Sequence, residues 1–365
     1  MKSLFSFSTV PAALAVALML LDANGLFAQR DGVWFRDPTK EGKLTKIDGE
    51  VKETISGVEV TDGAKKVTKI SPADMVRIDY ENLQGVDRSA QISLRPGELS
   101  GNDPEKLAAE YAKLVATSKD APVKAKRYVA FREGYWLARA AAAKPDADFS
   151  ETAKAVIAKL MTFTKEHNRS WELWQMAQEA GRLAIHIEDK ETALAAWKVL
   201  ADNTELPLAL RHKAQLFHAG LLLRKGDMAE FKKTVMEIKA DPRLDTPALK
   251  EQLAIYVEVA NLPPAIEPKE GEPRTKSAGL AKVEAAITLA KDPVARAAGY
   301  NALGDLLVAQ KLYRDAMWAY LWVDTVYNQD KDEQLKATSR LIDIFKRLGD
   351  EDRASQFTDR LAKLR

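Results

Sequence analysis

Two stretches far apart in the chain repeat one spacing of apolar and small residues, and this internal repeat limits the fold more than any other feature of the sequence. In residues 300–328, Tyr300, Leu303, Gly304, Leu307, Ala316, Tyr320 and Val323 fall on two helical faces separated by one turn. Ala177, Ala180, Gly181, Ala184, Ala193, Trp197 and Leu200 reproduce that spacing with smaller side chains. Residues three and four apart share a helix face, so each set describes two helices packed as a hairpin. Small residues are needed where the backbones approach most closely. The spacing therefore predicts that Gly304 faces Ala316 at the crossing, with Leu303, Leu307, Tyr320 and Val323 filling the seam. One hairpin cannot bury its apolar face alone, so repeated copies predict a stack with a continuous core.

Further copies flank these two. Gln215, Ala219, Leu222 and Gly226-Asp227 fit the pattern, but Phe231 stands where a small residue is expected and predicts a local separation of the two helices. Residues 246–260 and 277–291 form another pair, joined by an insertion, 261–276, that holds Pro263, Pro264, Pro268 and Pro273 and cannot be helical throughout. A last pair, 332–348 and 351–364, puts Leu341, Phe345, Ala354 and Leu361 in register. Upstream, helices are predicted at 104–119, 123–143, 150–167 and 170–187, the first opened by an Asp103 cap and Pro104. The carboxylates Asp330, Asp332, Asp350 and Asp352 sit at predicted helix starts, where the helix dipole favours them.

The spacing resembles the tetratricopeptide repeat, in which an aromatic residue, a Leu-Gly pair, a large apolar residue, an Ala, an aromatic and an Ala recur in a unit of about 34 residues. Val323 occupies the last small position here, and Asn328 stands in place of the terminal Pro. The resemblance implies that residues 103–365 form a mainly α, right-handed superhelix of helical hairpins. In that family the first helix of each pair lines a groove for a protein or peptide partner. Carried over by position, the groove candidates are Gln175, Gln178, Arg182 and His186 in one unit, Lys213 and Arg224 in the next, and Asn301 and Asp305 in the Tyr300 unit.

Residues 30–82 are written in a different pattern. Short runs at 33–35, 43–47, 49–55, 58–61, 66–70 and 75–80 alternate apolar and polar residues, as strands do, with Asp62-Gly63 as a hairpin turn and Ser71-Pro72-Ala73-Asp74 as a tight turn. This small all-β segment resembles an SH3-like barrel. Trp34 and Tyr80 read as its core, and exposure of the pair would favour a second function, a cell-wall or polysaccharide-binding module. Residues 83–102, with three glycines and a proline, read as a linker.

Residues 1–28 carry Lys2, an apolar run from Val10 to Leu21 and a polar end, the pattern of a secretory signal peptide cleaved after Gly25 or Ala28. The chain has no cysteine, so an exported protein of this kind relies on its core rather than on disulfides. A formal net charge of +2, with both signs interspersed, gives no nucleic-acid footprint. His167, His186, His212 and His218 form no metal-ligand spacing, and no nucleophile elbow, phosphate loop or dinucleotide fingerprint is present. No cofactor or metal is expected. Trp171 with Trp174, and Trp318 with Trp322, have the spacing of core residues between helices. The expectation is an exported, non-enzymatic scaffold, periplasmic or secreted, that binds a protein or peptide.

Overall fold

A computed structural model of the chain describes residues 30–364 apart from 41, 145 and 264–276, so the signal-peptide reading and most of the proline-rich insertion lie outside the described residues. The chain divides into two compact units. Among the described residues, one holds Arg30–Lys52 together with Val58–Leu83, and the other holds Glu53–Gly57 together with the residues from Gln84 onward.

The first unit is a five-stranded antiparallel sheet of β1 (Asp31–Asp37), β2 (Lys43–Thr54), β3 (Gly57–Thr61), β4 (Val67–Ile70) and β5 (Met75–Asp79), in the order β4-β3-β2-β1-β5. β2 merges two runs that the sequence shows separately, because Gly49 continues the ladder opposite Asp31. Alternation puts Val33, Phe35, Val58, Val60 and Ile70 in the interior. The expected barrel does not form: β4 and β5 are the two edges of the sheet, which is not closed.

The second unit is helical. Its fourteen helices among the described residues begin with α1 (Arg88–Ser100), α2 (Pro104–Thr117), α3 (Val123–Ala142) and α4 (Asp146–Glu166). They continue with α5 (Glu172–His186), α6 (Lys190–Ala201), α7 (Leu208–Lys225), α8 (Met228–Ala240), α9 (Pro247–Ala260) and α10 (Leu280–Leu289). The last are α11 (Pro293–Ala309), α12 (Tyr313–Thr325), α13 (Lys331–Arg347) and α14 (Glu351–Lys363). From α3 onward they form consecutive pairs, as the spacing predicts.

Helix α1 corrects the linker expectation. Pro96 and Gly97 read as breakers, yet Asp87 accepts from the Ser89 amide at 2.8 Å and Gly101 closes the helix in the left-handed region. Burial of Glu98 holds it in place: its Oε1 accepts from Tyr111 Oη at 2.6 Å and Arg132 Nε at 3.0 Å. Sequence periodicity carries no trace of such a long-range anchor.

The repeat is visible in the backbone of the turns. At four hairpins a residue in the left-handed region (Glu188, Gly226, Lys311 or Gly349) follows the first helix. The next amide then reaches back five residues to close the helix: Asp189 to Ala184, Asp227 to Leu222, Leu312 to Leu307 and Asp350 to Phe345, each at 2.9 Å. Ala193, Phe231, Ala316 and Ala354 then donate to Asp189, Asp227, Leu312 and Asp350, each at 3.0 Å. All four units thus share one turn geometry, although only two carry glycine where it favours the left-handed conformation.

The crossing adds one detail to the expectation. The atoms nearest to Gly304 belong to the ring of Tyr320, which occupies the place a β-carbon would take, 2.5 Å from Cζ. Gly181 receives the indole of Trp197 in the same way, 2.6 Å from Nε1. A bare backbone position on the first helix thus seats an aromatic ring of the second. The ring of Phe231, which stands where the other units have alanine, is fully buried and lies edge-on to Tyr256 of the following pair, with centroids 5.6 Å apart.

Candidate partner-binding site

The eight groove candidates all lie on the first helices of their pairs, α5, α7 and α11, and the structure places another first helix, α13, against them. Asp332 of α13 accepts from Gln178 Nε2 at 2.7 Å and from Arg182, which also holds Glu179 at 2.9 Å. Lys213 Nζ meets Asp330 at 3.2 Å. Arg224 donates to Lys336 O at 2.9 Å and Ser339 Oγ at 2.7 Å. Asn301 Nδ2 donates to Glu333 Oε2 at 2.7 Å, and Asp305 accepts from Arg340 at 3.1 Å and Tyr320 at 2.7 Å. Gln175 is half-buried on α5, and His186 stands edge-on to Phe149 with centroids 5.9 Å apart.

These contacts come about because α13 buries Asp332, Glu333, Lys336 and Ser339 toward its neighbours. Burial alone would penalise such groups, so each has a partner. Burial pushes the Glu333 carboxyl up, against the pull of Lys336 2.9 Å away. Burial, helped by the like charge of Arg340, brings Arg224 down to about 10. Lys213 and Asp330 support each other's charges, and Asp330 also caps α13 through the amides of Asp332 and Glu333. At least six of the eight candidates therefore already hold hydrogen bonds or ion pairs within this unit.

Beside this seam the first turns of α7, α9, α11 and α13 meet around a pocket of about 290 Å³. Leu210, Phe217, Leu249 and Val294 supply its apolar lining, with Lys213 and Asp330 paired on its wall.

The structure separates the two tryptophan pairs that the sequence treats alike. Trp171 and Trp174 are core residues, but Trp318 and Trp322 are 62% and 45% exposed. The signal was present in the sequence. Ala316, Tyr320 and Val323 fix the buried face of α12, and a residue two positions away points about 200° round the helix. Trp318 and Trp322, two positions beyond Ala316 and Tyr320, must therefore face outward.

Trp322 is held rather than loose. Tyr300 stacks on it at 6.0 Å and on Tyr327 at 5.6 Å, with interplanar angles of 17° and 16°. Arg296 fixes Tyr327 by donating to its hydroxyl at 3.1 Å and ties the group to the end of α10 through Ala290 O at 2.6 Å. Leu289 and Val326, both exposed, extend the apolar surface.

In the sheet unit, Tyr80 is buried at 3% exposure and offers no stacking surface. Trp34 is half-buried, with Arg77 5.1 Å and Lys46 5.9 Å from its ring and its Nε1 donating to Asp79 at 2.8 Å. His212 and His218 are buried, the former 3.2 Å from Asp241. No described helix is long and apolar enough to cross a membrane. Compared with known proteins, the chain matches no family model and no curated protein.

Proposed function

We propose that this chain is an exported, non-enzymatic scaffold whose helical unit is a tetratricopeptide-like right-handed superhelix, and that it binds a protein partner on the outer face of α12. Four hairpins with one turn geometry support the repeat reading, and the cysteine-free sequence with its leader-like 1–28 supports export. The observation that carries the binding reading is the exposure of Trp318 and Trp322 on one face of α12. Trp, Tyr and Arg are the residues that dominate protein interfaces, and a fixed aromatic surface loses little conformational entropy on binding.

The inner-face candidates support that choice from the other side. A partner reaching Gln178, Arg182 or Lys213 would have to displace Asp330 and Asp332. Breaking such buried pairs costs about 3 kcal/mol or more. The outer face asks for no such exchange. A photo-crosslinking residue placed at Trp318 in the cells of origin is expected to trap a protein of defined mass, and one placed at Lys213 to trap none. Adducts at Lys213 alone would overturn the outer-face reading.

A further inference from the structure

The outer face of α12 also has a charge pattern. Arg314, Trp318, Trp322 and Val326 follow one another at intervals of four, one helical turn apart, and all are exposed. Arg314 has no ion-pair partner among the described residues. At the other end Arg296 donates only to neutral oxygens, those of Thr288, Ala290 and Tyr327, and lies 5.7 Å over the Tyr327 ring. The acids nearby are engaged elsewhere. Asp324 is buried with Arg360 at 2.7 Å, and Asp315 and Glu284 have partners of their own. The surface is thus a strip of two indoles with a guanidinium at each end, neither of them in an ion pair among the described residues, although the field of Arg296 reaches Glu251 and helps to lower its carboxyl.

Resting on the outer-face reading above, we propose that the partner segment is an acidic, apolar peptide: apolar side chains lie on Trp318 and Trp322, and a carboxylate at each end meets Arg314 and Arg296. Charge complementarity selects this occupant. An arginine fork matches a carboxylate bidentately, and opposite potentials steer encounter and reject basic partners. Twelve residues of helix rise about 18 Å, a span covered by about six residues of extended peptide. The two carboxylates are therefore about five positions apart, with large apolar residues between them.

The test uses the full chain and three fluorescein-labelled hexapeptides followed by fluorescence anisotropy. One has Glu at both ends around Leu and Phe, one has Lys at the ends, and one has Ser in place of Leu and Phe. The Glu-ended apolar peptide is expected to bind at least about tenfold tighter than either of the others. Trp318→Ala is expected to weaken it about tenfold or more, and Arg314→Glu to shift the preference toward the Lys-ended peptide. Glu- and Lys-ended peptides of equal affinity, both lost in Trp318→Ala, would overturn the acidic partner and leave the outer-face site standing. Absence of peptide binding, peptide binding unchanged in Trp318→Ala, or Trp318-dependent binding of polyuridylate or laminarin in its place would overturn both.

Discussion

The ring of Tyr320 lies where a side chain on Gly304 would have to begin, 2.5 Å from the position of its β-carbon. Gly304→Ala should therefore destabilise the protein, even though alanine favours a helix by about 1 kcal/mol over glycine. The clash with a fully buried ring outweighs that gain and costs about 1–3 kcal/mol. Thermal unfolding of the purified variant checks the sign. A melting temperature equal to or above that of the parent would show that Tyr320 can yield without cost.

Ala316 is fully buried, whereas Ala309, on the preceding helix, is exposed. Ala316→Leu is expected to cost about 1–3 kcal/mol by overpacking, and Ala309→Leu to stay within about 0.5 kcal/mol of the parent. Denaturant unfolding of the pair would count against the assigned register if the two midpoints coincided.

Trp318 and Trp174 offer a sharper contrast, since they share a residue type and differ in burial. Trp174→Ala should lose about 3–5 kcal/mol, and Trp318→Ala about 0.5 kcal/mol or less. Circular dichroism melts of both variants give the comparison. A comparable loss in Trp318→Ala would mean that its indole is part of the core.

Glu172 gives a pH dependence. Burial pushes its carboxyl from an ordinary 4.5 to about 7 against the pull of Arg127, and its Oε2 has no hydrogen-bond partner. The folded value lies above the unfolded one. Its contribution to stability is therefore complete below about 4.5 and is lost as the pH rises through about 7. The loss is on the order of 3 kcal/mol at most. Glu172→Gln should flatten the difference between melting temperatures at pH 5 and pH 8, and an unchanged difference would show that Glu172 is not its source.

Asp332→Asn removes the charge that Arg182 and Gln178 share across α13 and α5. Arg182 then keeps Glu179 alone as its carboxylate partner, and the loss is expected to be about 1–3 kcal/mol. Limited proteolysis should then cut α13 sooner than the α5–α6 turn. Cleavage at the parental rate would show that the seam does not hold α13.

Local chemistry made most of the helices legible. Asp103, Asp189, Asp227, Asp292, Asp330 and Asp350 all cap the helices that follow them, and Pro104, Pro247 and Pro293 all stand in first turns. The paired acids of 330–332 and 350–352 act at helix starts as expected. What the sequence hid was non-local. Whether Gln178 faces solvent or Asp332 depends on a segment 154 residues away, and no helix periodicity records such a meeting. Trp318 misleads for a different reason. Its spacing to Trp322, taken alone, suits a core pair, whereas its phase against Ala316 and Tyr320 turns it outward.

The contact of α13 with α5, and of α11 with α7, also bears on when the protein can fold. In an open stack of hairpins each unit finds its partners as soon as its neighbour is made. Here a growing chain that has reached Ala240 carries Gln178, Arg182, Lys213 and Arg224 while their acceptors do not yet exist. Closing contacts so far apart in sequence is slow, because the loop entropy is lost before the contact returns anything. The first-made half must wait for the last-made helices, and a chain handed on before Lys331 emerges is handed on with this seam unformed.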